Sequence, residues 1–325
     1  MKISICIPTY NRGHRALECV QNLLKLDYDR DKLEIVVSDN GSDKNTEGYK
    51  TISGMEDDRL IYHHFDENMG FLCNLNQVIR MSSGDYCMIL SDEDSVDPIV
   101  FDYYYDQIRV HPDVHIIRPS SDEQYGTMLP QYAVSDKDAI DAFFCEGNYI
   151  SGTFFDRSLL TDELVNRYYE TYAGNRAYQD YPHLFYGAAL LIHGGYYCDQ
   201  YVLIHEGKGE DDSTYDPDAT VLIQHYGTYE KRIEQMEGFV ELINNLDTND
   251  ARKFQMLQVL CIKTSYLIDI VKQRYLAMGT DWDEIIRKEK ADMKKYTRGV
   301  RLPFDENDWS AVDKFIDEIA DVCMV

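Results

Sequence analysis

Four short runs in the first third of the chain, Lys2–Pro8, Leu33–Ser38, Leu60–Phe65 and Tyr86–Leu90, are apolar at most positions and rich in β-branched residues. A strand of that kind has no wet face, so both its sides must be covered. The segments between them have another period. Leu17, Val20, Leu23 and Leu24 repeat at helical spacing within Ala16–Leu26, as do Leu72, Leu75 and Ile79 within Gly70–Met81. Ser82, Ser83 and Gly84 stop the second helix. Buried strands alternating with amphipathic helices predict parallel βαβ units, hence an α/β, doubly wound sheet with helices on both faces.

Such sheets bind ligands beyond the carboxyl ends of their strands. The residues there are Thr9-Tyr10-Asn11-Arg12, Asp39-Asn40-Gly41-Ser42, Asp66-Glu67-Asn68 and Ser91-Asp92-Glu93-Asp94. All four sets are polar and three carry carboxylates. A purely structural protein gains nothing by collecting acids on one edge, so a ligand site is expected there.

Beyond residue 98 the pattern is less regular. Ser135–Glu146 reads as a helix opened by a capping box, Ser135 with Asp138; Ile150–Phe155 reads as a strand, Arg157–Tyr172 as a helix and Gly195–His205 as a strand. From about Tyr229 only helices are expected. Ile233, Met236, Val240 and Ile243 share one face, a longer helix covers 250–278, and a stripe from Trp309 to Val322 follows an Asp308 cap. The predicted division is an α/β region over 1–228 and a helical C-terminal region over 229–325.

Charge follows that division. Residues 1–228 hold 17 basic and 39 acidic residues, net −22, against 15 and 19, net −4, in 229–325. A chain of net charge −26 repels DNA and RNA, so no nucleic-acid partner is expected. The run 287–301 is an exception, with seven basic and two acidic residues. Beside its solvated-face reading it suggests contact with a phosphate-bearing acceptor, an anionic membrane or another subunit. The eight cysteines lie at least 13 residues apart, without the spacing of a zinc or CxxC site. They read as reduced core thiols. No signal-peptide pattern opens the chain and no run approaches ~20 apolar residues. A cytoplasmic location is expected, with the inner membrane face as an alternative setting.

Asp92 and Asp94, two residues apart directly after a buried strand, suit a Mg²⁺ or Mn²⁺ ion shared with a substrate phosphate. A solvated acidic turn is the bland alternative. An EF-hand loop fails, because its sixth and twelfth positions would be Asp97 and Tyr103. A phosphatase that uses Asp92 as nucleophile would carry a similar run, normally on its first strand.

The combination separates these readings. Pro8-Thr9-Tyr10-Asn11-Arg12, Ser38-Asp39-Asn40-Gly41-Ser42, Asn68-Met69-Gly70 with Asn76, and Ser83-Gly84-Asp85-Tyr86 leading to Asp92-Glu93-Asp94 occur in one order. Together they resemble the family-2 glycosyltransferases of GT-A fold, closely over about residues 1–100 and loosely to about 205. The resemblance implies a mixed doubly wound sheet and an inverting, metal-dependent enzyme that moves a sugar from a nucleotide diphosphate donor. By position it implies that Pro8, Thr9, Tyr10, Arg12 and Asp39 hold the nucleoside, with UDP favoured. It also implies that Asn68 and Gly70 form the turn approached by the donor, and that Asp92 and Glu93 line the site. Asp92, Asp94 and His205 are the implied metal ligands for Mn²⁺ or Mg²⁺, Asp94 foremost. Asp180, in Tyr178-Gln179-Asp180-Tyr181-Pro182-His183, is the implied catalytic base, with a helix cap as its bland reading. Gln179 departs from the acidic pair usual there. The segment Ile150–Phe155 resembles the acceptor side. The acceptor implied is a glycan, glycolipid or polyol phosphate, as in bacterial surface polysaccharide synthesis. A phosphatase and a non-catalytic nucleotide-sugar binder remain as alternatives.

Overall fold

A computed structural model describes residues 1–122, 127–146, 149–207, 228–277 and 282–322, the side chains of 145–146, 273–277, 282–283 and 321–322 excepted. Cys145, Cys323, Met278 and the 208–227 part of the α/β region thus lie outside the described residues or side chains. The elements run β1 (Ile3–Thr9), α1 (Gly13–Leu23), β2 (Leu33–Asp39), α2 (Glu47–Ser53), β3 (Leu60–His64), α3 (Phe71–Met81), β4 (Tyr86–Ile89), β5 (Ser95–Val96), α4 (Pro98–Val110), β6 (Ile116–Ser121), β7 (Gln131–Ala133), α5 (Asp136–Glu146), β8 (Phe154–Asp156), α6 (Asp162–Tyr172), α7 (Arg176–Asp180), α8 (Pro182–Leu191) and β9 (Tyr196–His205). The helices α9 (Tyr229–Asn245), α10 (Asp250–Ala277), α11 (Trp282–Thr297) and α12 (Glu306–Val322) follow.

Among the described residues nine strands form one sheet in the order β3-β2-β1-β4-β8-β6-β9-β5, with β7 on β9. The first four in that order are mutually parallel, as the continuous apolar runs predict. Strand β8 is antiparallel to both neighbours, β9 is parallel to β6, and β5 and β7 are antiparallel to β9, so the sheet is mixed. The chain leaves β1 for β2 on one side and later places β4 on the other, which makes the end of β1 the switch point. Ile3, Ile5 and Ile7 face a core built with Ala16, Val20 and Leu23 of α1 and Phe101 of α4. On the other face Cys6 donates to the Val78 carbonyl of α3 (3.5 Å). Helices therefore cover both faces.

Several expectations needed correction. Gly152 has φ +81°, left-handed backbone that strands do not use, so the strand expected over Ile150–Phe155 shrinks to β8. Helix α6 starts behind a Thr161 cap, whose hydroxyl accepts from the Leu164 N–H, rather than at Arg157. The cap of α12 is Asp305, not Asp308. Asp305 Oδ1 accepts from the N–H groups of Asn307 (2.8 Å) and Asp308 (3.0 Å), and Asp308 reaches back to the Asp305 N–H. Of the Ser135–Asp138 box the first half forms, the Ser135 hydroxyl accepting the Asp138 N–H (3.2 Å), while the Asp138 carboxylate accepts from that hydroxyl rather than from the Ser135 N–H.

The chain divides into two compact units that do not part at residue 228. One is Met1–Ile140, Gly147–Ala173 and Ala189–Glu210; the other is Asp141–Glu146, Gly174–Ala188 and Asp211–Val325. Asp180 therefore belongs with the helical unit. Inside that unit Lys272 and Glu289 pair at 2.7 Å with both side chains fully buried, and Ser265 donates to the same carboxylate (3.0 Å). Three of the seven basic residues of its basic run form ion pairs within the unit, Lys288 with Glu230, Lys294 with Asp317 and Arg298 with Asp313. The segment Asp250–Lys272 is long and apolar enough to cross a membrane by length and composition, contrary to the reading that no run comes near. More than half of it is buried inside the protein, as in a core helix.

Candidate active site

The site follows from the register of three parallel strands. Thr9 of β1 pairs with Asp39 of β2, and Asp39 pairs with His64 of β3. Three polar side chains therefore stand in one row on the carboxyl edge. Pro8 lies just inside that row, opposite Ser38. Asp39 is 2% exposed and accepts from the Ser42 N–H (3.0 Å), Tyr62 hydroxyl (3.2 Å) and His64 Nδ1 (2.9 Å).

The loops around this row are sewn together. Asn11 takes a left-handed conformation, φ 57°, and its side chain accepts from the N–H groups of Asp43 and Lys44. The Tyr49 hydroxyl bonds Thr9 Oγ1 (2.7 Å) and accepts the Arg12 N–H (2.9 Å). Asn40 donates to Asn68 (2.9 Å) and accepts from the Met69 N–H (2.9 Å). Gly70 caps α3 at φ +84°, with open space where a Cβ would stand, so its glycine identity meets a backbone requirement. Asn74, buried on α3, donates to the carbonyls of Thr9 (3.2 Å) and Ser38 (3.0 Å) and clamps the ends of β1 and β2. These braces fix the shape of the edge.

The turn after β4 completes the site. Asp92 is fully buried; Oδ2 accepts from Thr9 Oγ1 (2.5 Å), and Oδ1 lies 2.7 Å from the Arg12 guanidinium. Arg12 (3.0 Å) and Arg15 (2.6 Å) also hold Glu93. Burial pushes the Asp92 carboxyl up to about 6, against the opposing pull of Arg12 and Thr9. Asp92 thus keeps its proton more tightly in the folded chain than in the unfolded one. Its contribution to stability is complete below about pH 4 and is lost as pH rises through about 6. The stability difference between wild type and Asp92→Asn should therefore move toward the asparagine form from about pH 4 to about pH 8, measured by urea unfolding. A constant difference would mean that Arg12 compensates the charge in full.

Asp94 has separate partners. Its Oδ2 accepts from the Tyr149 hydroxyl and its Oδ1 from the Gly207 N–H (3.0 Å), with Ser151 adding a further hydrogen bond. Burial raises its pKa, and those three donors oppose the shift. A carboxylate offers about four lone-pair sites, so one stays open to a hard cation. One carboxylate fits Mg²⁺ or Mn²⁺ that brings its remaining ligands as water and phosphate.

The expected three-ligand set does not form. Among the described residues no three His, Cys, Asp or Glu side chains are grouped to hold a metal. Asp92 is committed to Thr9 and Arg12. His205 pairs in register with Ser95, but its Nδ1 lies 2.6 Å from Asp122 and its Nε2 3.8 Å from Asp97. Its complete burial speaks against Asp92 as a phosphatase nucleophile, which must reach the phosphorus of its substrate.

In the helical unit, Asp180 ends α7 with its side chain 5% exposed. Arg176 Nε (2.8 Å) and Gln235 Nε2 (2.6 Å) both bond its Oδ2. It does not cap α8, so the bland reading of this residue fails. Tyr49, Asn74 and Tyr149 have no place in the motifs of the sequence, and Ser151 enters them only within Ile150–Phe155, the segment that resembles the acceptor side. Asn74 carried a signal, a carboxamide on the buried stripe of an amphipathic helix; the tyrosines, two among 26, carried none.

Comparison with known proteins agrees with this architecture. Residues 4–180 match the model of glycosyl transferase family 2, over half of the chain, and the chain belongs to that family. Glycosyltransferase GlyG of Streptococcus pneumoniae is 30% identical over 107 residues, 33% of this chain and 35% of that protein. The abequosyltransferase RfbV of Salmonella typhimurium is 33% identical over 100 residues, 30% of this chain and 29% of that protein. The alignments thus span about a third of those relatives. S. aureus TarS 1–349 in complex with UDP-GlcNAc superposes at TM-score 0.65 with 14% identity, covering 99% of this chain and 90% of that one. The mannosyltransferase PcManGT from Pyrobaculum calidifontis, in complex with GDP-Man and Mn²⁺, gives 0.51 and 16%, covering 99% and 86%. At such identity the likeness shows the fold.

Proposed function

We propose that the chain is an inverting, metal-dependent glycosyltransferase that moves one sugar from a nucleotide diphosphate to an acceptor hydroxyl. UDP is the favoured carrier, and a glycan, glycolipid or polyol phosphate of a bacterial surface polysaccharide is the acceptor class. The observation that carries this reading is the single carboxyl edge on which Thr9, Asp39 and the Asp92–Asp94 turn are braced together. Structural neighbours that hold UDP-GlcNAc or GDP-Man with Mn²⁺, and relatives named for sugar transfer, support it.

In this reading Pro8, Thr9, Tyr10 and Asp39 receive the nucleoside, and Asn68 and Gly70 leave room for the donor at the backbone. Arg12, kept in place by Asp92 and Glu93, offers its guanidinium to the diphosphate. Asp94 holds the divalent ion, which when bound neutralises the leaving diphosphate. Asp180 takes the acceptor proton on Oδ1, its other oxygen being fixed by Arg176 and Gln235. The acceptor oxygen bonds the anomeric carbon as the bond to the diphosphate oxygen breaks. One displacement inverts the centre. We place this chemistry on the cytoplasmic side of the membrane.

A thermal-shift screen of nucleoside diphosphates and nucleotide sugars, with and without Mn²⁺, tests the donor reading. A ligand at about 100 times its Kd adds about 2.7 kcal/mol to the folded state. UDP or a UDP-sugar with Mn²⁺ should give the largest rise. The absence of stabilisation by every nucleotide would remove the reading.

A further inference from the structure

We propose that Tyr149 is a positioning residue for Asp94: its phenol holds the carboxylate in the orientation in which it meets a divalent cation. The inference rests on the reading of Asp94 as the metal-contacting acid and adds a residue that no motif of this chain points to.

The geometry begins with the hydroxyl. A carboxylate only accepts, so the Tyr149 O–H must be the donor toward Oδ2 of Asp94. The ring is fixed on its own account. It packs against the core cluster that includes Phe101, Phe154 and Ile204. The guanidinium of Arg118, itself 2% exposed, stands 5.9 Å from the ring centroid, within cation–π reach. The phenol is therefore aimed rather than swinging.

The other contacts of Asp94 come from different segments. Gly207, beyond the end of β9, supplies its N–H to Oδ1. Ser151 contributes a hydroxyl, and its Oγ accepts the Ser91 N–H (3.0 Å), which ties it to the same turn. Tyr149 bonds Oδ2 while its ring packs against the hydrophobic core. Orientation of the carboxylate is thus coupled to core packing. Partners of this kind, acting through a ligand rather than on the ion, set metal affinity by fixing the ligand's direction, and their loss costs about 10–100-fold. The competing interpretation is a core tyrosine whose hydroxyl found the nearest acceptor.

The deciding experiment is a Mn²⁺ titration followed by electron paramagnetic resonance, with saturating UDP, on wild type and Tyr149→Phe of the full chain. Phenylalanine keeps the ring and removes only the donor. The proposal expects Mn²⁺ affinity to fall about 10–100-fold while UDP affinity without metal stays unchanged. A merely structural tyrosine would lower the melting temperature without moving Mn²⁺ affinity, and that result overturns the proposal. If wild type itself shows no Mn²⁺ binding with UDP, the reading of Asp94 falls and takes this inference with it. A second measurement does not depend on the phenylalanine variant. With 3-fluorotyrosine placed at position 149, its fluorine resonance should shift when Mg²⁺ and UDP are added together but not when UDP is added alone. An identical response to both additions overturns the proposal.

Discussion

Asp94→Asn should abolish Mn²⁺-dependent binding of UDP while the protein stays folded. The expectation of a folded variant rests on the partners of Asp94. An asparagine of the same shape keeps an oxygen for the Gly207 N–H, and the Tyr149 hydroxyl can turn to accept from the new amide. At least one hydroxyl donor, that of Tyr149 or Ser151, loses its acceptor at a cost of about 1–3 kcal/mol, so a somewhat destabilised but folded variant is the predicted outcome. What is lost is the negative charge that a hard cation requires. Loss of an orienting partner alone costs about 10–100-fold in metal affinity, so loss of the ligand itself should cost at least the upper end of that range. Calorimetric titration of UDP with and without Mn²⁺ measures the difference directly. A variant in which Mn²⁺ still strengthens UDP binding as in wild type would show that the ion is held elsewhere. Asp92 is the poorer candidate for that role, because it is fully buried and the Arg12 guanidinium 2.7 Å from its Oδ1 already offsets its charge.

Where the sequence was legible, one local pattern was enough. β1, β2 and β4 consist of residues whose burial on both faces was written in a continuous apolar run, and the strand-end rule then located Thr9, Asp39 and Asp94 without any structure. Helix α4 has an equally local signature: Asp97 accepts from the Ile99 and Val100 N–H groups ahead of Pro98, an N-cap with proline at the first helical position. Helix α2 was not legible, because only Gly48, Tyr49 and Ile52 of its seven residues are buried. Its purpose appears only in three dimensions, where Tyr49 pins Thr9 to Arg12.

The metal set shows a different limit. Asp92 and Asp94 look equivalent in sequence, and only the path of the chain decides that Arg12 neutralises one while Tyr149 and Gly207 orient the other. His205 lines up with Ser95 in register, yet Asp122 and Asp97 lie at its ring. Side-chain pairing between segments about a hundred residues apart has no local signature. The same holds for the division into units, which gathers Asp141–Glu146 and Gly174–Ala188 with the distant helices.

Asp180→Asn carries the other large effect. In the proposed reaction Oδ1 of Asp180 accepts the acceptor's proton, and an amide cannot do so. Transfer should fall by about 10²–10⁴-fold, the range for a lost general base, while affinities for donor and Mn²⁺ stay as in wild type. The surroundings allow a clean substitution. Gln235 and Arg176 both donate to Oδ2, and an asparagine oxygen at that position continues to accept from them. Removing the charge weakens the Arg176 contact, so some loss of stability in the helical unit is expected alongside the kinetic effect. The two consequences separate in Arg176→Gln. That variant loses the charge partner but keeps the base, so it should lose stability while retaining most of its turnover. Single-turnover transfer from a UDP-sugar to an acceptor, measured beside donor affinity for both variants, gives the decision. If Asp180→Asn transfers sugar at a near-normal rate, Asp180 is only a brace between α7 and α9, and the base lies elsewhere. If wild type binds the donor tightly but transfers nothing under any acceptor condition, the non-catalytic binder gains over the enzyme.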